Sequence, residues 1–243
     1  MRGYPRIIAH RGGGGLAPEN SLEGIVLAAR LGCRGVEFDV MLAADGVPLL
    51  IHDDTVDRTH AGRGHVARLT AAEIRRLDAG RRHHPAFTGC RTPTLDEALD
   101  ACRDAGLWAN VEIKPAAGQD VATGEAVGRA VAARGEWAGV LSSFSAEALA
   151  AAAQACPDAP RALLLEELSG HWTQRLHDTG AGALHLAAEI FTSGQASNIA
   201  KSLRDTPWAC YTVNTPELAD RLFALGCGAV FTDRPDRWPV SAM

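Results

Sequence analysis

Residues 35–51 read GVEFDVMLAADGVPLLI. The two halves of this stretch, Gly35–Val40 and Val47–Ile51, are both rich in β-branched and aliphatic residues, which is the composition of strands. Only Met41–Gly46 lies between them, too short for a crossover helix, and its Asp45-Gly46 is a hairpin-turn signal. The stretch is therefore read as one strand running out into an antiparallel hairpin. A two-residue Asp45-Gly46 turn predicts the pairs Ala44 with Val47, Met41 with Leu50 and Asp39 with His52.

Working outward, seven further runs have strand character: Arg6–Ala9, Trp108–Ile113, Val140–Ser143, Arg161–Leu165, Ala183–Ala187, Trp208–Val213 and Ala229–Thr232. They alternate with longer Ala-rich segments of helical period, the pattern of a parallel sheet with crossover helices. Nine runs would be one too many for an eight-stranded barrel. With the hairpin return set aside, the remaining eight fit an α/β fold of the (β/α)₈ TIM barrel type, and an open doubly wound sheet is the competing architecture. Residues 1–243 are read as one domain.

Helix starts agree with this division. Asn20-x-x-Glu23 is close to a capping box, Thr70-x-x-Glu73 and Thr94-x-x-Glu97 match one, and Thr215-Pro216 puts Pro at a first helical position. Glu125–Arg134 and Ala146–Ala155 are helical by propensity. Asp53–Thr92, rich in Arg, His and Gly, is the least barrel-like part. It is expected to form a small insert near the C-terminal face.

The chain has 243 residues, 47% hydrophobic and 22% charged, an ordinary globular composition. Its formal net charge of −5 leaves no surplus of positive charge to grip a nucleic acid or an anionic membrane. No apolar run is long enough to span a bilayer, and MRGYPRIIAH at residues 1–10 lacks the apolar core of a signal peptide. A cytoplasmic location without stable membrane association is expected, and oligomeric state has no signal. Six cysteines at 33, 90, 102, 156, 210 and 227 form no C-x₂₋₄-C pair, so they are read as reduced, mostly buried small hydrophobes.

Barrel sites are built at the C-terminal ends of strands. Here those ends are charged: His10-Arg11 after the first strand, Glu37 and Asp39 on the second, His52-Asp53 after the hairpin return, and Glu112-x-Lys114 on the fourth run. Glu37 and Asp39 share one face of their strand, with Val36, Phe38 and Val40 on the other. Two such carboxylates repel unless a cation lies between them. A hard divalent ion, Mg²⁺ or Ca²⁺, suits oxygen ligands, and Glu112 can supply a third carboxylate. The competing reading is a set of salt bridges to Arg11 or Lys114. With a metal present, those two basic residues become phosphate ligands. His10 and His52, flanking the acids, suit an acid–base pair near neutrality.

Other features have plainer readings. Gly12–Gly15 lacks the spacing of a phosphate-binding P-loop and is read as a flexible loop. Asn20 is well placed to be a helix N-cap. Trp208, Tyr211 and Phe144 lie near strand ends, where they either wall a pocket or pack in the core. His60, His65, His83 and His84 have no metal-ligand spacing and are read as solvated. A G-x-S-x-G elbow is absent, and no cysteine has a nucleophile motif around it.

Taken together, His10-Arg11-Gly12, Pro18-Glu19-Asn20-Ser21, Gly35–Val40, Asp45-Gly46, His52-Asp53, Arg58-Thr59, Pro93-Thr94-Leu95, Glu112-Ile113-Lys114, Tyr211-Thr212-Val213-Asn214 and Thr232-Asp233-Arg234-Pro235 resemble the glycerophosphodiester phosphodiesterase family in content and order. The resemblance covers nearly the whole chain. It implies a TIM barrel that hydrolyses small-molecule glycerophosphodiesters to glycerol 3-phosphate and an alcohol. It also implies one divalent cation on Glu37, Asp39 and Glu112, His10 and His52 as general acid and base, and Arg11 and Lys114 on the phosphate. Glu19 and Asn20 fall in the family's P-E-N block as residues that support the substrate side. Three departures are visible: Ser21 stands where Thr is usual, the glycine run is longer, and Tyr211, a substrate-side position, stands where Trp is common. A lysophospholipase D-like preference for bulkier lipids and a non-catalytic phosphate-binding barrel are the alternative functions.

Overall fold

The computed structural model describes residues 3–135, 137–192 and 194–239. Its strands are β1 (Ile7–Ala9), β2 (Gly35–Leu42), β3 (Pro48–Leu50), β4 (Trp108–Ile113), β5 (Gly139–Ser143), β6 (Arg161–Leu165), β7 (Ala183–Ala187), β8 (Trp208–Tyr211) and β9 (Ala229–Thr232). The sheet runs β1-β9-β8-β7-β6-β5-β4-β2-β3, and β1 also pairs with β2. Eight parallel strands thus close into a ring, and antiparallel β3 lies outside it on β2. This is the expected TIM barrel, not an open sheet. Among the described residues no helix is long and apolar enough to cross a membrane.

Strand alternation sorts side chains into two layers. Val36, Phe38 and Val40 of β2 and Val111 and Ile113 of β4 face outward, into a core shared with Ile25, Leu95, Leu99 and Val127 of the surrounding helices. Truncating a fully buried ring such as Phe38 to Ala costs about 3–5 kcal/mol in such a core. The opposite faces fill the barrel. Its lower part packs Ile8, Trp108, Val140 and Phe231, with Tyr4 from the N-terminal segment against Trp108 and within 3.2 Å of His185 Nε2 through its hydroxyl. Its upper part holds buried Glu37, Asp39 and Glu112.

The helices begin where local chemistry satisfies their free N–H groups. Thr70 and Thr94 form full capping boxes with Glu73 and Glu97 at the starts of the helices Ala71–Ile74 and Leu95–Asp104. The helix before β2, Leu22–Arg30, is capped by Ser21, whose Oγ accepts the Gly24 N–H at 3.0 Å. Asn20 is not the cap. It has a left-handed backbone, φ +55°, and its side chain turns toward β2. Of the two helices read from propensity, one spans Ala146–Ala155 as expected and the other starts earlier, at Asp120, and runs to Ala132.

The hairpin exists with a different register. Observed pairs are Val40 with Leu50, Met41 with Leu49 and Leu42 with Pro48. Ala43 N–H bonds the Val47 carbonyl, so the loop has three residues, Ala44-Asp45-Gly46, with Gly46 at φ +77°. A three-residue loop with glycine in the left-handed position is the next commonest hairpin after the two-residue turn. Asp39 therefore lies opposite Ile51, whose N–H reaches the Asp39 carbonyl at 3.1 Å, and not opposite His52.

Residues 53–92 fold over this hairpin. Val56, Val66 and Ile74 pack on Met41, Leu49 and Ile51 as a small separate core. The hairpin tip is tied to it: Ala44 N–H bonds the Leu69 carbonyl and Asp45 accepts the Ala71 N–H. His60, expected to be solvated, is buried and bonds Thr92 and Thr59. His65, His83 and His84 are exposed, and five of the six cysteines are buried.

Candidate active site

β2 and β4 are in register with Asp39 beside Glu112, and Glu37 lies two residues back on the same face. One carboxylate oxygen from each of the three residues lies within 4.8 Å of the others. All three are buried, at 3%, 1% and 8% exposure for Glu37, Asp39 and Glu112. Their partners are few. Arg11 N–H donates to Glu37 Oε2 at 2.8 Å, and Asn20 holds Asp39. Arg11 Nε stands 3.5 Å from Asp39 and Lys114 Nζ 3.5 Å from Glu112. Glu37 Oε1 and Glu112 Oε1 are buried without a hydrogen bond.

A buried carboxylate oxygen without a donor is costly, and the mutual repulsion of three converging carboxylates adds to that cost. Burial and then the neighbouring carboxylates push Glu37 up to about 7 and Glu112 up to about 8. Burial also opposes ionisation of Asp39, yet His52, Arg11 and Lys114 together hold it below the usual range. An all-oxygen set in which Glu37 Oε1 accepts no hydrogen bond and Glu112 Oε1 has only the Lys114 ammonium at 3.5 Å fits one hard divalent cation, and the residues present match that demand.

His10 follows β1, and its Nδ1 lies 2.7 Å from Asp233 Oδ1, just after β9. Asn214 fixes that carboxylate, accepting the Asp233 N–H at 2.8 Å and donating Nδ2 to Oδ2 at 3.3 Å. His10 Nε2 lies 3.7 Å from Glu37 Oε2. Burial favours the neutral ring, but Asp233 and Glu37 outweigh it and raise His10 to about 8.

His52 repeats the arrangement. Its Nδ1 lies 2.7 Å from Asp53 Oδ1, and Arg58 grips Asp53 through Nε and Nη2 at 2.6 and 3.0 Å. Chiefly through Arg58, Asp53 falls to about 2. As an ionised acceptor it leaves Nδ1–H as the donor, so Nε2 is the ring atom free to meet a substrate. Burial lowers the His52 pKa, and Arg11 and Lys114 add to it against Asp39 and Asp53. Because β3 ends at Leu50, His52 is not bound by strand alternation. The Arg58–Asp53 clamp, not the hairpin register, orients it.

Glu19 links the two sides. Arg58 donates to both its oxygens at 2.7 Å and Arg11 donates to Oε1 at 3.2 Å. Both Glu19 oxygens are thus occupied by arginines. Asn20 is likewise engaged by Asp39. The glycine run supplies no open cradle, since Gly12, Gly14 and Gly15 donate to the carbonyls of Glu37, His10 and Asp233. Gly14 is needed for space: at φ +61° a Cβ there would lie 2.5 Å from the Asp233 carbonyl oxygen.

Tyr211 ends β8 with its hydroxyl buried and without a partner, and Phe144 meets its ring edge-on at 6.1 Å. Trp208, at the opposite end of β8, stacks on Phe191 and belongs to the core. Asp53, Asp233, Arg58 and Asn214 have no role that the sequence alone announces. The only local signal was the adjacency His52-Asp53; Asp233 is 223 positions from the ring it holds.

A family model described as the Glycerophosphoryl diester phosphodiesterase family matches residues 10–237. The chain is 44% identical over 108 residues to a glycerophosphodiester phosphodiesterase of Caldanaerobacter subterraneus subsp. tengcongensis, a match spanning 44% of each chain. It is 28% identical over 247 residues to a glycerophosphodiester phosphodiesterase of Bacillus subtilis, spanning 94% of this chain and 83% of that one. Among solved structures, an Oleispira antarctica phosphodiesterase in complex with the product sn-glycerol-3-phosphate superposes with a TM-score of 0.89 at 33% identity. That match covers 98% of this chain and 96% of the other.

Proposed function

Since the chain belongs to the glycerophosphoryl diester phosphodiesterase family, we propose that it hydrolyses glycerophosphodiesters to sn-glycerol 3-phosphate and an alcohol. The observation that carries this reading is the set of three converging buried carboxylates, two with an oxygen that accepts no hydrogen bond, lying beside two imidazoles each backed by an aspartate. The product bound by the Oleispira antarctica neighbour supports the same substrate class.

Glu37, Asp39 and Glu112 would hold one divalent cation, Mg²⁺ or Ca²⁺. Bound there, it supplies positive charge to the phosphate oxygens and stabilises the charge that develops on them. Arg11 and Lys114, at the rim of the acid cluster, contact the phosphate, Arg by its fork and Lys as a point charge. Asp53 and Asp233 hold the Nδ1–H of His52 and His10, leaving Nε2 to carry protons. One ring takes the proton of the attacking hydroxyl as its oxygen bonds phosphorus; the other gives a proton to the departing alkoxide as its P–O bond breaks. If the attacker is the glycerol 2-hydroxyl, water opens the resulting cyclic phosphate with the two roles reversed. Paired proton transfer of this kind contributes about 10²–10⁴-fold per positioned group.

The test is release of glycerol 3-phosphate from glycerophosphocholine. It should require a divalent cation, stop on chelation, and be lost in Glu37→Ala. Undiminished turnover after complete metal removal overturns the carboxylate assignment.

A further inference from the structure

Residues 53–92 are the cationic part of an acidic chain, with eight arginines against five acids in a protein of net charge −5. Two of these arginines are paired with acids. Arg58 is committed to Glu19 and Asp53, and Arg75 to Glu97. Arg82 is not: its Nη1 donates to the Asp57 carbonyl, and among the described residues no carboxylate lies within ion-pair distance of it. Arg81 and His83 flank it and are exposed.

Their position joins them to the site. Arg82 and His83 line a cavity with Glu19 and Arg58. His83 and Glu19 also line the neighbouring cavity, whose other walls include His10, Arg11 and Asp233. The two cavities share Glu19 and His83, so the His10 side of the acid cluster is continuous with the cavity that Arg82 lines. Across the barrel the sign is the other one: Glu166 follows β6, Glu189 follows β7, and both are exposed. A second negative charge on a substrate is repelled by that side and attracted by the insert.

We propose that Arg82, with Arg81 and His83, makes the insert a selector for glycerophosphodiesters whose alcohol arm carries a second anionic group, a further phosphate or phosphodiester. Such substrates are favoured over those ending in a choline-type cation. This rests on the phosphodiesterase reading above and adds the substrate class.

The measurement is kcat/KM of the full chain, in Mg²⁺, for bis(glycerophospho)glycerol and for glycerophosphocholine. Wild type should favour the doubly anionic substrate, and Arg82→Gln should lower the ratio about threefold while Arg82→Lys keeps most of it, as expected for an exposed charge. Raising salt from 50 to 500 mM should lower the wild-type ratio several-fold, because the attraction is screened; this arm needs no variant to fold. A wild-type ratio at or below one, or a ratio unmoved by both salt and Arg82→Gln, overturns the selector while glycerophosphocholine turnover leaves the phosphodiesterase reading intact. Hydrolysis of neither substrate overturns that reading and the selector with it.

Discussion

Asn20 holds Asp39 at both ends: its Nδ2 donates to Asp39 Oδ2 at 3.0 Å, and its Oδ1 accepts the Asp39 backbone N–H at 3.0 Å. The amide thereby fixes which carboxylate oxygen faces Glu37 and Glu112. Groups that orient metal ligands typically contribute 10–100-fold in affinity. Asn20→Ala should weaken Mg²⁺ or Mn²⁺ binding by about that factor, read by calorimetric titration. Affinity within twofold of wild type would show that Asp39 needs no such support.

The aspartate-backed rings predict a graded series. His10→Ala and His52→Ala should each lower kcat on glycerophosphocholine by about 10²–10⁴. Asp53→Asn and Asp233→Asn keep the rings but weaken the hold on Nδ1, so their losses should be smaller and fall mainly on kcat, not KM. Near-normal turnover in both histidine variants would remove the acid–base assignment.

Metal binding should be linked to protons. Glu37 and Glu112 are raised above the ordinary carboxylate range in the metal-free protein. A carboxyl whose pKa is raised by folding stabilises the fold while protonated and loses that contribution as pH rises through the folded value. Cation binding needs both groups ionised, so it releases protons and offsets this loss. The rise in Tm produced by saturating Mg²⁺ should therefore be larger at pH 8 than at pH 5.5. Differential scanning at the two pH values checks it, and an equal or smaller rise at pH 8 would contradict it.

At the other end of the barrel, Tyr4 meets the buried His185 ring, whose Nδ1 has no partner. Burial holds that ring neutral, at about 3. Tyr4→Phe removes the partner of Nε2 and should cost about 1–3 kcal/mol in urea unfolding. Adding His185→Leu should recover part of it, because removing both polar partners costs less than stranding one. Turnover should be unchanged in Tyr4→Phe, since the pair lies below the acid cluster.

The repeating parts of the fold were legible because each strand carries its own signal: eight barrel runs, the hairpin and two full capping boxes all appear near their expected residues. What failed depended on partners far along the chain. Asp45-Gly46 announces a turn but not whether the loop has two or three residues, so the pairing slipped by one. Asn20 and Ser21 are both competent caps, and the choice falls to Ser21 because Asn20 is drawn to Asp39 nineteen positions away. The carboxylates and imidazoles of the site were readable from strand-end position. The clamps that orient them were not: Asp233 meets His10 only because β9 pairs with β1, and Arg58 reaches Asp53 only through the fold of the insert.

The insert leaves and rejoins the barrel at almost the same place: Leu50 N–H bonds the Pro93 carbonyl, Leu49 bridges to Thr94, and His60 reaches Thr92. A loop whose ends are already fastened side by side can change length at little entropic cost, since closure depends only logarithmically on the residues enclosed. The segment is thus an exchangeable cassette in a fixed socket. The rim of this barrel can be rewritten beyond Arg58 while Asp53 and Arg58 keep His52 and Glu19 in place and the strand-end carboxylates stay where they are.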